Sequence, residues 1–156
     1  MSKSVNRVAR ALAEAGIDSD IVEMPDSTRT AEEAAAAVGC ALDQIAKSIV
    51  FRAEDHGTAV LFITAGGNRV DPAKASALAG EPLGKADAAL IRTQTGFVIG
   101  GVAPVGHLSP VRAWFDPRLI EFGRIWAAAG TPRHVFAIAP GDLLRLSGAQ
   151  SADFTI

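Results

Sequence analysis

Two apolar segments separated by a short polar turn constrain the fold most strongly. Residues 45–51 are apolar apart from Lys47 and Ser48, residues 60–64 are apolar again, and Glu54-Asp55-His56-Gly57 lies between them. Apolar runs of this length that flank a turn containing glycine predict a β-hairpin. We therefore expect a sheet built around this hairpin.

Helical and strand patterns are mixed along the rest of the chain. Helical spacing predicts helices over residues 5–13, 31–38, 72–80, 86–92 and 140–146, with a further helix beginning at Asp116-Pro117. Strand patterns cover residues 21–24, 97–101, 111–115, 124–128, 135–139 and 152–156. Hairpin-like neighbours outnumber β-helix-β units. The predicted fold is therefore α+β, with a mixed, largely antiparallel, barrel-like sheet and surrounding helices in a single domain of residues 1–156.

Composition limits the classes of function. With 156 residues, of which 49% are hydrophobic and 21% charged, the chain can bury a sizeable core. Its net charge of −2 excludes the cationic field that drives broad binding to duplex DNA, so any nucleic-acid contact must be local. Cys40 is the single cysteine, which excludes an internal disulfide. No apolar run is long enough to span a bilayer, and we expect a soluble cytoplasmic protein without membrane contact.

Residues 95–107, the glycine loop, are the strongest candidate for a ligand-binding segment. The loop contains four glycines and Pro104, and it has no charged residue. Glycine lets the backbone approach a ligand closely, while proline fixes one φ angle and removes a donor. The loop can therefore present backbone N–H and C=O groups in a set geometry. A plain turn between two buried strands is the alternative that the residues leave open.

Two common phosphate-binding motifs do not fit this loop. Gly101 and Gly106 have the spacing of a P-loop, but His107 and Leu108 stand where the motif needs lysine and a hydroxyl residue. A dinucleotide fingerprint fails because Gly100 and Gly101 are adjacent and a strand pattern follows where a helix is required. Neither a nucleotide triphosphate site nor a dinucleotide site is predicted.

Lys47 is the second candidate for a functional residue. It shares a strand face with Ile49 and Phe51, because alternate residues of a strand point to the same side. Lysine is rarely buried without a partner. Its side chain therefore either reaches the rim of the sheet, where the ammonium group is solvated, or uses that group to bind an anionic or carbonyl-bearing ligand. The residues leave both interpretations open.

The remaining reactive side chains do not form a known catalytic or metal-binding motif. His56, His107 and His134 are scattered without the spacing of metal ligands, so we expect no metal site and no cofactor. The chain has no Gly-x-Ser-x-Gly segment, and no serine or cysteine lies in a nucleophile motif. A hydrolase that forms a covalent intermediate is poorly supported.

The lysine strand over residues 45–51 and the glycine loop together resemble the YbaK/ProX family. Its members are free-standing relatives of the editing domain inserted in bacterial prolyl-tRNA synthetases. The resemblance covers nearly the whole chain and includes Asn68-Arg69-Val70-Asp71, Phe115-Asp116 and Pro140-Gly141-Asp142-Leu143-Leu144. The lysine strand combined with the Gly-x-x-Pro-x-Gly spacing within the loop is the specific part of the resemblance.

This resemblance implies hydrolysis of the ester that joins a mischarged amino acid to the 3′-terminal adenosine of tRNA. It implies that Lys47 holds the acceptor end or polarises the ester. It also implies that the backbone around Gly101 supplies hydrogen-bonding groups to the ester carbonyl or to the attacking water. It also implies that the terminal ribose hydroxyl of the substrate helps to activate water. The implied partner is the aminoacyl-tRNA acceptor end, with delivery by a synthetase left open. The implied substrate contacts are Gly100, Val102, Pro104, Val105, Gly106, His107, Ala128 and His134.

The chain also departs from the family pattern. Phe97 replaces the tyrosine of the usual Gly-Tyr pair, and Val105 stands where phenylalanine or leucine is common. Ala128 and Val135 occupy the positions of a serine and an aspartate in the cysteinyl-specific branch, which argues against cysteinyl specificity. Two other functions remain open: a noncatalytic module that binds tRNA or DNA, and a hydrolase of small esters or amides.

Overall fold

The computed structural model describes residues 2–156, which form one eight-stranded sheet with five α-helices around it. The strands are β1 (Ile21–Glu23), β2 (Ile45–Ala53), β3 (Thr58–Ala65), β4 (Leu83–Lys85), β5 (Arg112–Phe115), β6 (Ile125–Ala128), β7 (His134–Ile138) and β8 (Gln150–Ser151). The helices are α1 (Lys3–Glu14), α2 (Ala31–Val38), α3 (Pro72–Ala79), α4 (Ala88–Thr95) and α5 (Pro140–Ser147). None of these helices is long and apolar enough to cross a membrane. The predicted α+β class is confirmed.

Helix boundaries follow the capping signals of the sequence. The Thr30 hydroxyl accepts from the N–H of Glu33, and the Glu33 carboxylate accepts from the N–H of Thr30, so both bonds of the predicted capping box are formed. Asp71 caps α3, with Pro72 at the first helical position. Gly96 ends α4 in the left-handed conformation. Local chemistry therefore sets where the helices begin and end.

The sheet is mixed, as predicted. Its strand order is β1-β7-β6-β2-β3-β5-β8, with β4 paired to β2. The pairs β1–β7, β6–β7, β2–β3 and β2–β4 are antiparallel, whereas β2–β6, β3–β5 and β5–β8 are parallel. The predicted hairpin is formed by β2 and β3, and its register places Lys47 opposite Thr64.

One edge of β2 is only partly covered. β6 pairs with Ile45 and Ala46, and β4 pairs with β2 from Phe51 to Ala53. Within the described chain, residues 47–50 have β3 on one side and no strand on the other. A strand edge without a neighbour offers backbone donors and acceptors to a ligand. This gap lies beside the predicted functional lysine.

The hairpin is held by apolar packing on both faces of the sheet. Leu61 and Ile63 belong to the larger core cluster, while Phe62 packs on the other face, stacked on Trp114 with ring centroids 5.0 Å apart. All four side chains are buried. Burial on both faces explains the unbroken apolar sequence of β3. The strand that supports Lys47 is therefore anchored in the core.

The predicted strand over residues 97–101 is wrong. Helix α4 extends to Thr95 and ends at Gly96, which has a φ of +81°. The chain then turns, and the N–H of Gly101 donates to the carbonyl of Val98 at 3.0 Å. A short apolar run has the same sequence pattern whether it packs as a strand or as a buried loop. Here the left-handed glycine at position 96 turns the chain, and no strand forms over residues 97–101.

The predicted helix start at Asp116-Pro117 is confirmed: Asp116 caps a short 3₁₀ helix (Pro117–Glu121) with Pro117 at its first position. One further prediction differs from the structure. The predicted final strand over residues 152–156 is displaced, because the pairing with β5 ends at Ser151 and Thr155 makes a single bridge to Val70. The state of so short a segment depends on tertiary pairing more than on local propensity.

Candidate functional site

A cavity of about 240 Å³ opens at the uncovered edge of β2. Its walls come from α2 and the residues before it, from β2, β6 and β7, and from the glycine loop. Much of the surface is small or aliphatic, and includes Ala34, Val38, Ile49, Ala128 and Val135. Such a wall can accommodate an apolar group without leaving a buried polar atom unpaired.

The polar side chains of the cavity are two cations and three hydroxyls. Arg29 and Lys47 supply the charges, and Thr28, Thr30 and Ser48 supply the hydroxyls. Among the described residues, none that lines the cavity carries a carboxylate. The cavity therefore favours an anion, or an oxygen on which negative charge develops.

Lys47 lies in the wall of this cavity, half-buried, and its Nζ donates to the carbonyl of Gly66 at 3.1 Å. Burial lowers the pKa of Lys47 below 10.5, while Glu32 raises it and Arg69 lowers it further. The partner of the ammonium group is a neutral carbonyl, so its charge remains available to a ligand. The structure thus places Lys47 beside a cavity and holds its side chain in one orientation.

Two carboxylates hold the loop that anchors Lys47. Asp43 Oδ1 accepts from the N–H of Gly67 at 2.8 Å, and Asp116 Oδ2 accepts from the N–H of Ala65 at 3.1 Å. Asp116 is buried, with 2% of its surface exposed. The carbonyl between these two N–H groups is therefore fixed, which restricts where the ammonium group of Lys47 can lie.

The glycine loop reaches the cavity through Gly100 and Val102. Gly101 lies between them but points away from the cavity wall, and its N–H is already bound to Val98. A Cβ atom on Gly101 would lie 2.6 Å from backbone atoms of Thr131. Glycine is needed at this position because two backbones touch, not because of a positive φ.

Most backbone donors of the loop are unpaired. Between residues 100 and 106, Gly101 is the one residue of the described chain whose N–H finds an intrachain acceptor. Val102 as a whole residue is 7% exposed, and it lines the cavity. Buried N–H groups without partners are rare in folded proteins. The N–H groups of Gly100 and Val102 are therefore candidates for binding a ligand oxygen at the cavity.

The second half of the glycine loop packs into the protein. Pro104 and Val105 are buried, and Gly106 adopts a φ of +79°. The Nε2 atom of His107 is 2.8 Å from the carbonyl of Ala103. Burial lowers the pKa of His107 below 6.5, although the hydrogen bond to this carbonyl opposes the shift. The structure does not bring these predicted contact residues to the cavity.

Strands β6 and β7 supply the opposite wall. Ala128 and Val135 line the cavity there, whereas His134 does not. The Nδ1 atom of His134 is 2.6 Å from the hydroxyl of Thr131, and its Nε2 is 3.4 Å from the Glu23 carboxylate. His134 lines a neighbouring groove instead.

Some cavity residues are absent from the sequence-based prediction. The predicted substrate contacts do not include Thr28, Thr30 or Ser48, which line the cavity. The capping box at Thr30 locates the start of α2, but no sequence signal places that start against β2. In the described chain, no group of three His, Cys, Asp or Glu side chains is arranged to hold a metal ion.

The chain is similar to known proteins over most of its length. The family model for the aminoacyl-tRNA editing domain matches residues 25–146. Protein YwhH of Bacillus subtilis (strain 168), which is uncharacterized, is 30% identical over 130 residues, 83% of this chain and 82% of YwhH. A crystal structure of a proposed trans-editing enzyme for prolyl tRNA synthetase is 48% identical in sequence and has a TM-score of 0.91. The match covers 100% of this chain and 99% of that enzyme's chain. A structure from computational epitope grafting onto scaffold proteins is 47% identical, with the same coverage and a TM-score of 0.92.

Proposed function

The chain belongs to the aminoacyl-tRNA editing domain family, and from that premise we propose that it acts in trans to hydrolyse the 3′-terminal ester of mischarged aminoacyl-tRNA. The match confirms the resemblance to the YbaK/ProX family. The observation that carries the proposal is the cavity itself, because Lys47, the glycine-loop residues Gly100 and Val102 with unpaired N–H groups, and an apolar wall all line it. A polar reaction centre next to an apolar wall suits an ester that carries an amino-acid side chain.

The apolar wall receives the side chain of the amino acid. Ala34 of α2 and Ala128 of β6 are small, and Val135 pairs with Ala128, so these three lining residues contribute no charge. The nucleotide lies toward the rim, where Arg29 is exposed. This orientation places the ester between Lys47 and the glycine loop.

During hydrolysis the carbonyl oxygen of the ester becomes negatively charged, and this charge must be stabilised. Water adds to the ester carbonyl carbon, the bond to the ribose oxygen breaks, and that oxygen takes a proton as the free amino acid leaves. The N–H groups of Gly100 and Val102 and the ammonium group of Lys47 stabilise the developing oxyanion. Gly101 contributes by holding the loop against Thr131, since its own N–H is bound to Val98.

The protein needs no side-chain nucleophile for this reaction. The hydroxyl of the terminal ribose, supplied by the substrate, orients the attacking water. Backbone donors in a cavity that excludes water typically account for a factor of about 100 to 1,000 each. The absence of a serine or cysteine nucleophile motif in the sequence is consistent with such a site.

A release assay tests the proposal against both alternatives left open by the sequence. The protein in excess is mixed with a panel of mischarged tRNAs, and release of the amino acid is compared with release from the methyl esters of the same amino acids. We expect release from at least one mischarged tRNA and little from the methyl esters. Binding of tRNA without release would indicate a noncatalytic module, and equal release from methyl esters would indicate a small-ester hydrolase.

His107→Ala tests whether a side-chain acid or base has been overlooked. The substitution removes the bond to the buried carbonyl of Ala103, so we expect a loss of about 1–3 kcal/mol in the free energy of unfolding. The amino-acid release rate of the folded variant should stay within about twofold of the wild-type rate, because His107 does not line the cavity. A folded variant that loses about 100-fold or more, the range of general acid–base catalysis, would assign a catalytic role to His107.

The salt dependence of tRNA binding reports how many phosphates the protein contacts. Lys74 is engaged by Asp153 at 3.1 Å and by the carbonyl of Thr155, whereas Arg29 and Lys47 lie at the cavity. Few phosphate contacts are therefore expected, with a slope of log K against log salt of about −0.7 for each. Fluorescence titration from low to moderate salt measures this slope. A slope that corresponds to six or more contacts would reveal an extended basic surface.

A further inference from the structure

A second, open groove of about 670 Å³ lies directly beside the cavity. It is lined by Ser27, Arg29, Thr131, Pro132, Arg133 and His134, and Arg29 also lines the cavity. A ligand that extends out of the cavity past Arg29 therefore enters this groove. Most of the residues that line this groove have no role in the proposed hydrolysis of the ester.

Arg29 separates the two spaces and has its guanidinium group free. Its aliphatic stem lies across Gly100, so close that a Cβ atom there would be 2.9 Å from the Cγ of Arg29. No residue of the described chain forms a hydrogen bond or ion pair with its guanidinium group. A guanidinium group binds two oxygens of a phosphate in parallel, which makes it the preferred side chain for this ligand.

Two more polar groups in the groove have spare bonding capacity. Arg133 is exposed, and its Nη1 donates to the carbonyl of Pro25 at 3.0 Å rather than to a carboxylate. The hydroxyl oxygen of Ser27 is shielded from solvent and has no hydrogen-bond partner in the described chain. Glu23 places a carboxylate 3.4 Å from His134, but Glu23 does not line the groove itself. The lining therefore presents cations to a ligand, and a hydroxyl without an intrachain partner lies beneath its surface.

The two segments that form the groove are bound to each other. The N–H and the hydroxyl of Thr28 both donate to the carbonyl of Pro132, at 2.6 and 2.9 Å. The N–H of Met24 donates to the carbonyl of Arg133 at 2.7 Å. These bonds hold the backbones that carry both arginines, so little ordering is needed when a ligand binds.

We infer that this groove binds the phosphate that links the last two nucleotides of the tRNA acceptor end. The inference rests on the proposed function, which places the terminal aminoacyl group in the adjoining cavity. The chain of the tRNA then leaves the cavity beside Arg29, and its first phosphate meets Arg29 and Arg133. A single diester phosphate matches two arginine side chains that have no carboxylate partner.

Two amide-linked analogues of the substrate test this assignment. One carries the most rapidly released amino acid on adenosine, and the other carries it on the dinucleotide cytidylyl-adenosine, which adds the linking phosphate. Calorimetry should show the dinucleotide binding at least about tenfold more tightly to the wild-type protein. Arg29→Met keeps the packing over Gly100 but removes the charge, and should reduce this advantage to less than about threefold. Arg133→Met should reduce it as well.

Arg10→Met is the matched control, because Arg10 is exposed on α1 and lines neither space. It should keep the full advantage of the dinucleotide. An advantage that survives in both Arg29→Met and Arg133→Met would overturn the inference, as would equal binding of both analogues to the wild type. Tight binding of inorganic phosphate alone, at the affinity of the dinucleotide, would identify a free-anion site and also overturn it.

The release assay separates this inference from the proposed function. If no mischarged tRNA loses its amino acid, the proposed function fails. If release occurs but the dinucleotide advantage does not depend on Arg29 and Arg133, only the groove is wrongly assigned.

Discussion

Lys47→Met is expected to lower the rate of aminoacyl-tRNA hydrolysis by about 100- to 1,000-fold. The substitution keeps an unbranched apolar side chain in the wall of the cavity but removes the ammonium group that stabilises the developing oxyanion. Folding should be little affected, because Lys47 is half-buried and water can replace its bond to the carbonyl of Gly66. Single-turnover release of amino acid, together with thermal unfolding, measures both effects.

Lys85→Met is the matched control for this variant. Lys85 is an exposed lysine on β4, a strand that also pairs with β2 but lies away from the cavity. It should keep the wild-type rate. If Lys47→Met also keeps that rate while remaining folded, Lys47 is structural and its position beside the cavity has no catalytic meaning.

Gly101→Ala should have the second large effect. Its methyl group would meet backbone atoms of Thr131 at 2.6 Å, and backbone cannot move aside as a flexible side chain can. The strain should cost about 1–3 kcal/mol of the free energy of unfolding. It should also shift Gly100 and Val102 at the cavity, and a displacement of about 1 Å can lower the rate about 100-fold.

Gly141→Ala controls for the added methyl group. Gly141 lies in α5, and a Cβ atom there has no neighbour within 4 Å. This variant should keep the wild-type rate with unchanged or higher stability. Should Gly101→Ala stay folded at assay temperature and react at the wild-type rate, the position of the glycine loop would be irrelevant to the reaction.

Much of the scaffold follows from local signals. The hairpin of β2 and β3 could be predicted because its apolar runs flank a glycine-containing turn, and the start of α2 because Thr30 and Glu33 form a capping box. Lys47 was noticeable because a charge on an apolar strand face is unusual. These features depend on residues that are neighbours in the chain.

The cavity depends on contacts between distant parts of the chain and was not predictable in the same way. The uncovered edge of β2 exists because β6 pairs with β2 at Ile45 and Ala46 and then separates from it. The need for glycine at position 101 comes from the backbone of Thr131. The role of Arg29 depends on its lying across Gly100. The spacing of residues in the sequence gives no information about contacts between distant parts of the chain.

A crystal structure with an amide-linked aminoacyl-adenosine analogue would show where the ester binds. We expect the amino-acid side chain to lie against Ala128 and Val135. We expect the carbonyl oxygen to lie about 3 Å from the N–H of Val102 and within reach of the Nζ of Lys47. An analogue bound with its carbonyl away from both groups, or outside the cavity beside β2, would rule out the proposed catalytic arrangement.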